Sequence, residues 1–212
     1  MNVIGQKTMG IALTTFRYPF LSGIFLPFKV VGRAGIKIGK GAKIVLKSRL
    51  TLGNAGADLP VVSRLPVNIY FGKQCSVTVG ASVSVGQGVN IIVKNGAAFS
   101  VGDRTYFTSD SHIEVVNEIA IGSDCAISWG VTIIDDDHHR LIVNGIPKED
   151  KKHSVHIGNR VWIGCNVTVL KGTVIGNNCV VAAGSVVKGV FADNTLIAGN
   201  PAKAIKQTID WK

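Results

Sequence analysis

The stretch Val155-His156-Ile157-Gly158-Asn159-Arg160-Val161-Trp162-Ile163-Gly164-Cys165-Asn166-Val167-Thr168-Val169-Leu170-Lys171-Gly172-Thr173-Val174-Ile175-Gly176 decides the fold. An aliphatic residue recurs every six positions, at Ile157, Ile163, Val169 and Ile175, and the rhythm continues to Val181 and Val187. Gly follows Ile157, Ile163 and Ile175, while Val161, Val167, Cys179 and Ser185 fall four residues after their leads. Neither the period of a helix nor that of an ordinary strand gives this pattern. A repeat at fixed spacing governs the whole architecture. Here it implies one short parallel strand per hexad, with three hexads closing a triangular coil. The leads of successive coils stack inward and each coil buries its edge on the next.

Working outward, weaker hexads start at Ile36 and return at Phe71-Gly72, then run clearly through Val79-Gly80, Val85-Gly86 and Ile91, with Val77, Val83 and Val89 two residues ahead of each. Asn54-Ala55-Gly56-Ala57-Asp58-Leu59-Pro60 interrupts them. A slip of two residues falls near Glu114-Val115-Val116-Asn117-Glu118, where a corner loop absorbs it. From Ile134 to Ser154 the core spacing fails altogether. That interval is expected to be a loop extruded from one corner, and long loops of compact folds are disproportionately functional.

Composition agrees with one domain plus an appendage. The chain has 212 residues, 46% hydrophobic content and 25 glycines, which suits tight corners and thin strands better than a helical bundle. Lys and Arg outnumber Asp and Glu by 23 to 13, a formal +10 that favours an anionic partner such as a phosphate-bearing small molecule, an anionic glycan or a lipid. Interleaved aromatics and a known module are both lacking, so nucleic acid is not expected. The four cysteines form no CxxC pair and read as small hydrophobes of a reducing compartment, with Cys165, at an outward position, the exception. Residues 1–35 are apolar and carry Phe16, Phe20, Phe25 and Phe28, but the run Tyr18 to Phe28 is too short to span a bilayer and has no cleavage signature. The segment is expected to cap the open first coil, with contact to a membrane surface as the alternative. The chain is accordingly expected in the cytoplasm or at the inner face of the membrane.

These features resemble the hexapeptide-repeat acyltransferases, and the run Ser128-Trp129-Gly130-Val131-Thr132-Ile133-Ile134-Asp135-Asp136-Asp137-His138-His139 resembles the segment of sugar O-acetyltransferases in that superfamily where an Asp-x-Asp-x-His run enters the extruded loop. The resemblance implies an all-β, left-handed parallel β-helix over residues 36–200, against the usual right-handed crossover. Residues 201–212 are expected to form a short cationic helix, since Asn200-Pro201 is a sensible start signal. It further implies an acetyl-CoA-dependent O-acetyltransferase acting on a sugar or glycan hydroxyl in cell-surface polysaccharide synthesis, active as a homotrimer.

On this resemblance His139 is the general base, with His138 as the alternative. An imidazole suits the task because it titrates near neutrality and takes the proton of a weakly nucleophilic hydroxyl as that attacks a thioester. Asp137 or a backbone carbonyl would orient the ring, and Asp137 and His112 are candidate substrate contacts. Val161-Trp162-Ile163-Gly164, Ala182-Ala183-Gly184-Ser185 and Gly199-Asn200-Pro201-Ala202-Lys203 match the coils that form the acetyl-CoA groove in relatives. Carried over, Trp162 walls the reaction site, Gly164, Cys165, Ala183 and Gly184 line the pantetheine arm, and Lys203 and Lys206 meet phosphates or adenine. Where relatives have Thr-Lys this chain has Lys188-Gly189, so Lys188 or Lys171 takes that phosphate contact. No metal is expected, because the adjacent His138-His139 cannot easily supply two ligands to one ion. Two other readings stand beside this one: amino-sugar N-acetylation, and a non-catalytic scaffold that binds membrane or anionic glycan.

Overall fold

The structure is a computed structural model that describes residues 14–18, 23–25, 28–31, 33–53, 63, 65–139, 142–147, 153–207 and 210–211. Three long sheets form the faces of a triangular column. Face one stacks Ala34–Ile38, Val67–Phe71, Asn90–Val93, His112–Val115, Thr132–Ile134, Thr168–Val169 and Val186–Val187. Face two stacks Lys43–Leu46, Ser76–Val79, Ala98–Val101, Glu118–Ile121, Ser154–Ile157, Val174–Ile175 and Val190–Phe191. Face three stacks Phe28–Val30, Leu50–Leu52, Ser84–Val85, Tyr106–Phe107, Ala126–Ile127, Trp162–Ile163, Val180–Val181 and Thr195–Gly199. Each of these strands pairs in parallel with the strand one coil away, which makes the parallel β-helix that the hexads imply, of the left-handed kind that the resemblance implies.

The hexad leads are the core. Ile157, Ile163, Val169, Ile175, Val181 and Val187 are buried, as are Val161, Val167, Cys179 and Ser185 four residues on. Each buried aliphatic side chain contributes about 1.5–3 kcal/mol. The core therefore runs as a file along the axis with no single centre.

The coils are not all alike. Val169 pairs with Val187, eighteen residues apart, but Ile69 pairs with Ile91 and Ile91 with Ile113, twenty-two apart. The longer coils have four-residue strands on faces one and two where the later ones have two. Each extra dipeptide adds one inward residue, such as Val77 beside Val79, which is why the hexads show doubled leads there. Between Ile113 and Ile133 the spacing is twenty, because the corner joining His112–Val115 to Glu118–Ile121 shrinks to Val116-Asn117.

The corner between faces two and three explains the glycine that follows so many leads. A Cβ on Gly122 would lie 2.5 Å from the Gly158 carbonyl oxygen, and one on Gly158 would lie 2.8 Å from the Asn177 backbone nitrogen. Beside these glycines runs a ladder of side-chain acceptors. Asp103 N–H donates to Ser123 Oγ, Ser123 N–H to Asn159 Oδ1, Asn159 N–H to Asn177 Oδ1, and Asn177 N–H to Asp193 Oδ1, at 2.8–3.0 Å. Backbone donors that face no strand are satisfied by the next coil.

Both ends of the column carry antiparallel strands. Thr14–Tyr18 pairs with Ala34–Ile38 and Gly23–Phe25 with Phe28–Val30, so parallel stacking begins at Phe28. At the other end the expected C-terminal helix is a strand, Ala202–Gln207, which turns at Asn200-Pro201 and lies antiparallel on Thr195–Gly199. The last coil otherwise exposes a row of backbone donors and acceptors, and pairing them outweighs a local helix-start signal. Three cysteines, Cys75, Cys125 and Cys179, are buried and burial pushes their thiols up, while Cys165 is half-buried. The interruption at Asn54 to Pro60, Arg140 and most of the charged run Lys148 to His153 lie outside the described residues. No helix among the described residues is long and apolar enough to cross a membrane.

Candidate active site

The extruded loop leaves face one after Thr132–Ile134 and rejoins face two at Ser154–Ile157. Asp135 anchors its start. The side chain is fully buried, and its carboxylate accepts N–H groups from Val116, Asn117 and Glu118 at 2.8, 2.8 and 2.6 Å. The first aspartate of the Asp-x-Asp-x-His run is therefore a clamp on the two-residue corner of the preceding coil. Three charge-assisted bonds fix where the loop begins.

The two histidines separate in role. His138 takes a left-handed backbone, φ 59°, its N–H donates to Asp136 Oδ1 at 2.6 Å, and its Nε2 lies 3.4 Å from Glu114 Oε2. His112, the other candidate substrate contact, opens a strand of face one, with its Nε2 3.5 Å from the same Glu114 oxygen. Lys94 completes this group with an ion pair to Glu114 at 2.7 Å. Burial raises the Glu114 pKa, but Lys94, His112 and His138 together outweigh burial and hold it below the usual carboxylate range.

His139 is exposed. Its Nδ1 lies 3.1 Å from the Asp137 carbonyl oxygen, so Nδ1–H donates there and Nε2 has no partner among the described residues. The orienting group is thus the backbone carbonyl and not the Asp137 carboxylate, which pairs with Lys171 at 2.9 Å. At the same edge a polar groove of about 420 Å³ is lined by Asn95, Asn117, Glu118, His153 and Ser154, among others.

The expected cofactor residues lie elsewhere on the column. Gly164, Cys165, Ala183 and Gly184 occupy the corner between faces three and one in successive coils, where Gly184 N–H donates to the Cys165 carbonyl at 2.9 Å. Gly164 is buried, and a Cβ there would lie 2.7 Å from Ala183 N, so close stacking of the next coil requires a glycine at this position. Gly184, with φ +70°, faces open space and is exposed beside exposed Ala183. Trp162, Lys203 and Lys206 are exposed on face three. Lys188 departs from the expected set: it lies at the corner between faces one and two, two coils beyond the loop and away from Gly184. Among the described residues no group of three His, Cys, Asp or Glu side chains could hold a metal ion.

Trp162 has neighbours that the repeat did not reveal. Its indole N–H donates to Ser128 Oγ at 3.2 Å, and Trp211 packs against it at 6.3 Å between ring centroids. Arg160 grips Trp211. Its guanidinium donates to the Trp211 carbonyl at 2.8 Å and pairs with Asp210 at 2.7 Å, while its own carbonyl accepts the Trp211 indole N–H at 2.9 Å. Glu114 and Trp211 were both missed. An outward carboxylate on a strand looks like any solvated charge, and an aromatic beyond the last hexad has no repeat position.

Comparison with known proteins puts this column in context. Residues 154–189 match the family model described as bacterial transferase hexapeptide (six repeats). The protein WbbJ of Escherichia coli (strain K12), described as a lipopolysaccharide biosynthesis O-acetyl transferase, is 35% identical over 147 residues, spanning 65% of this chain and 75% of the relative. The chain belongs to the hexapeptide-repeat acetyltransferases. It is an acyltransferase. The fold is shared with the crystal structure of the polySia-specific acetyltransferase NeuO, at a TM-score of 0.59 and 22% identity over 89% of this chain and 90% of that one. It is shared also with AntD, an N-acyltransferase from Bacillus cereus solved with dTDP and 3-hydroxybutyryl-CoA, at a TM-score of 0.50 and 21% identity over 86% and 84% of the two chains.

Proposed function

We propose that this hexapeptide-repeat enzyme transfers an acetyl group from acetyl-CoA to a hydroxyl of a cell-surface glycan, with His139 as general base. The observation that carries the reading is the His139 ring, whose Nδ1 is held by the Asp137 carbonyl while Nε2 is left without a partner among the described residues. An acceptor hydroxyl gives its proton to Nε2 as its oxygen attacks the thioester carbonyl carbon. The tetrahedral intermediate then collapses and expels CoA thiolate, which recovers a proton from the imidazolium. His138 is less suited, since Glu114 and Asp136 already engage it. The glycan acceptor is supported by the lipopolysaccharide and polySia named for WbbJ and NeuO, and the thioester by the acyl-CoA bound to AntD.

The site is assembled between subunits of a homotrimer. His139 stands at the edge between faces one and two, whereas Cys165, Ala183 and Gly184 stand at the edge between faces three and one. A neighbouring copy brings the two edges together. The loop carries a hairpin suited to such a contact, Ile142–Val143 against Ile146–Pro147, with Ile142 and Ile146 66% and 70% exposed. In this assembly Trp162 walls the reaction site, Lys203 and Lys206 meet the CoA phosphates, and the polar groove at His153 receives the acceptor. The deciding measurement is thiol release from acetyl-CoA with a panel of glycans. Turnover that is lost in His139→Ala with CoA binding retained supports the mechanism. Normal turnover in that variant sinks it.

A further inference from the structure

The excess positive charge is concentrated at one end of the column. The first 57 residues contain nine Lys or Arg and no Asp or Glu, while the remaining residues hold fourteen against thirteen. The chain's net +10 is thus nearly all carried by the first coil and the segment before it. Lys37 projects from face one, Lys43 from face two and Lys29 from face three, with Lys40, Lys47 and Arg49 at the corners between them. All six are exposed. Only one of the six, Lys47, has an ion pair among the described residues, to Asp103 at 3.1 Å. Val45, between Lys43 and Lys47 on the end strand of face two, is 51% exposed.

We infer that this end of the column docks on an anionic lipid surface, with the β-helix axis roughly upright on the membrane. A cationic stripe along one face would suit a linear polyanion lying lengthwise. Cations on all three faces at the same height form a ring, and a ring fits a plane laid across the end. The attraction falls off within a Debye length, about 8–10 Å at physiological salt. With coils stacked about 5 Å apart, only the first one or two coils therefore contribute, and each cation strengthens binding about fivefold. The active-site loop leaves the column four coils beyond this ring, so a docked enzyme keeps its loop clear of the headgroups.

The test is co-sedimentation of the full chain with vesicles of phosphatidylcholine containing about 30% phosphatidylglycerol as the anionic lipid. Binding is expected to these vesicles, to be absent with phosphatidylcholine alone, and to be lost in high salt. The variant Lys29→Gln, Lys40→Gln, Lys43→Gln, Arg49→Gln is expected to bind about 600-fold more weakly if the four cations act independently. The matching variant Lys29→Arg, Lys40→Arg, Lys43→Arg is expected to bind normally. Both are expected to release thiol from acetyl-CoA at the parent rate with a soluble acceptor, so a failure of docking is distinguishable from a failure of the catalytic reading. No binding to anionic vesicles, equal binding to neutral ones, or full binding by the glutamine variant would each overturn the inference. Retention on a polysialic acid matrix without vesicle binding would overturn it in favour of a glycan.

Discussion

Glu114 holds two histidines through one oxygen, and its carboxyl titrates below the usual range. A folded pKa lower than the unfolded one gives stabilisation that is complete above the unfolded value and is lost as pH falls through the folded one. Urea midpoints measured from about pH 6 down to pH 3 should therefore fall on acidification, and fall less in Glu114→Gln. Asp135 is a harsher case. Its removal leaves three N–H groups at a buried corner, so Asp135→Ala is expected to lose at least about 3 kcal/mol in urea unfolding. Cys165 offers a different readout. Native protein should show one fast-reacting thiol, at Cys165, because the other three are buried. Acetyl-CoA should protect it if the adjacent corner holds the pantetheine arm, and unchanged reactivity would move the cofactor elsewhere.

At the level of elements, the hairpin of the extruded loop was half legible. Asn144-Gly145 takes positive φ at both positions, 52° and 76°, as a two-residue turn between Ile142–Val143 and Ile146–Pro147 requires. Its apolar residues Ile142, Val143 and Ile146 are exposed, and that exposure is what points to another copy. Ile142→Ser with Ile146→Ser should weaken the proposed trimer by about 3–6 kcal/mol per loop at most while leaving the column folded. Light scattering would show the loss of assembly, and an intact trimer would place the contact elsewhere. The hexads were legible because inward positions tolerate little besides small and aliphatic side chains. The C-terminal strand was not, because Asn200-Pro201 is a local signal while the unpaired edge of Thr195–Gly199 is a property of the finished column. The ring of Glu114, His112, His138 and Lys94 was hidden for the same reason. Its members come from three coils, and only stacking brings them together.

For the whole molecule, stability is passed from coil to coil. Ile163 packs in a file with Ile127 on one side and Val181 on the other. Ile163→Ala should cost about 2–5 kcal/mol, and hydrogen exchange should rise most in the flanking coils. Uniform acceleration over the entire chain would mean that the column opens as one unit. The ladder of Ser123, Asn159, Asn177 and Asp193 bears on this directly. From Asp103 to Asp193 each joint along that edge includes the same chemical exchange, one side-chain oxygen for one backbone N–H of the coil before. Among coils of equal length a whole coil can then be removed or duplicated at the ladder without creating a contact of a new kind, whereas a partial coil leaves a donor facing nothing. The column is in this sense modular in its length, and its height can vary while the spacing of loop and groove around the edge is preserved.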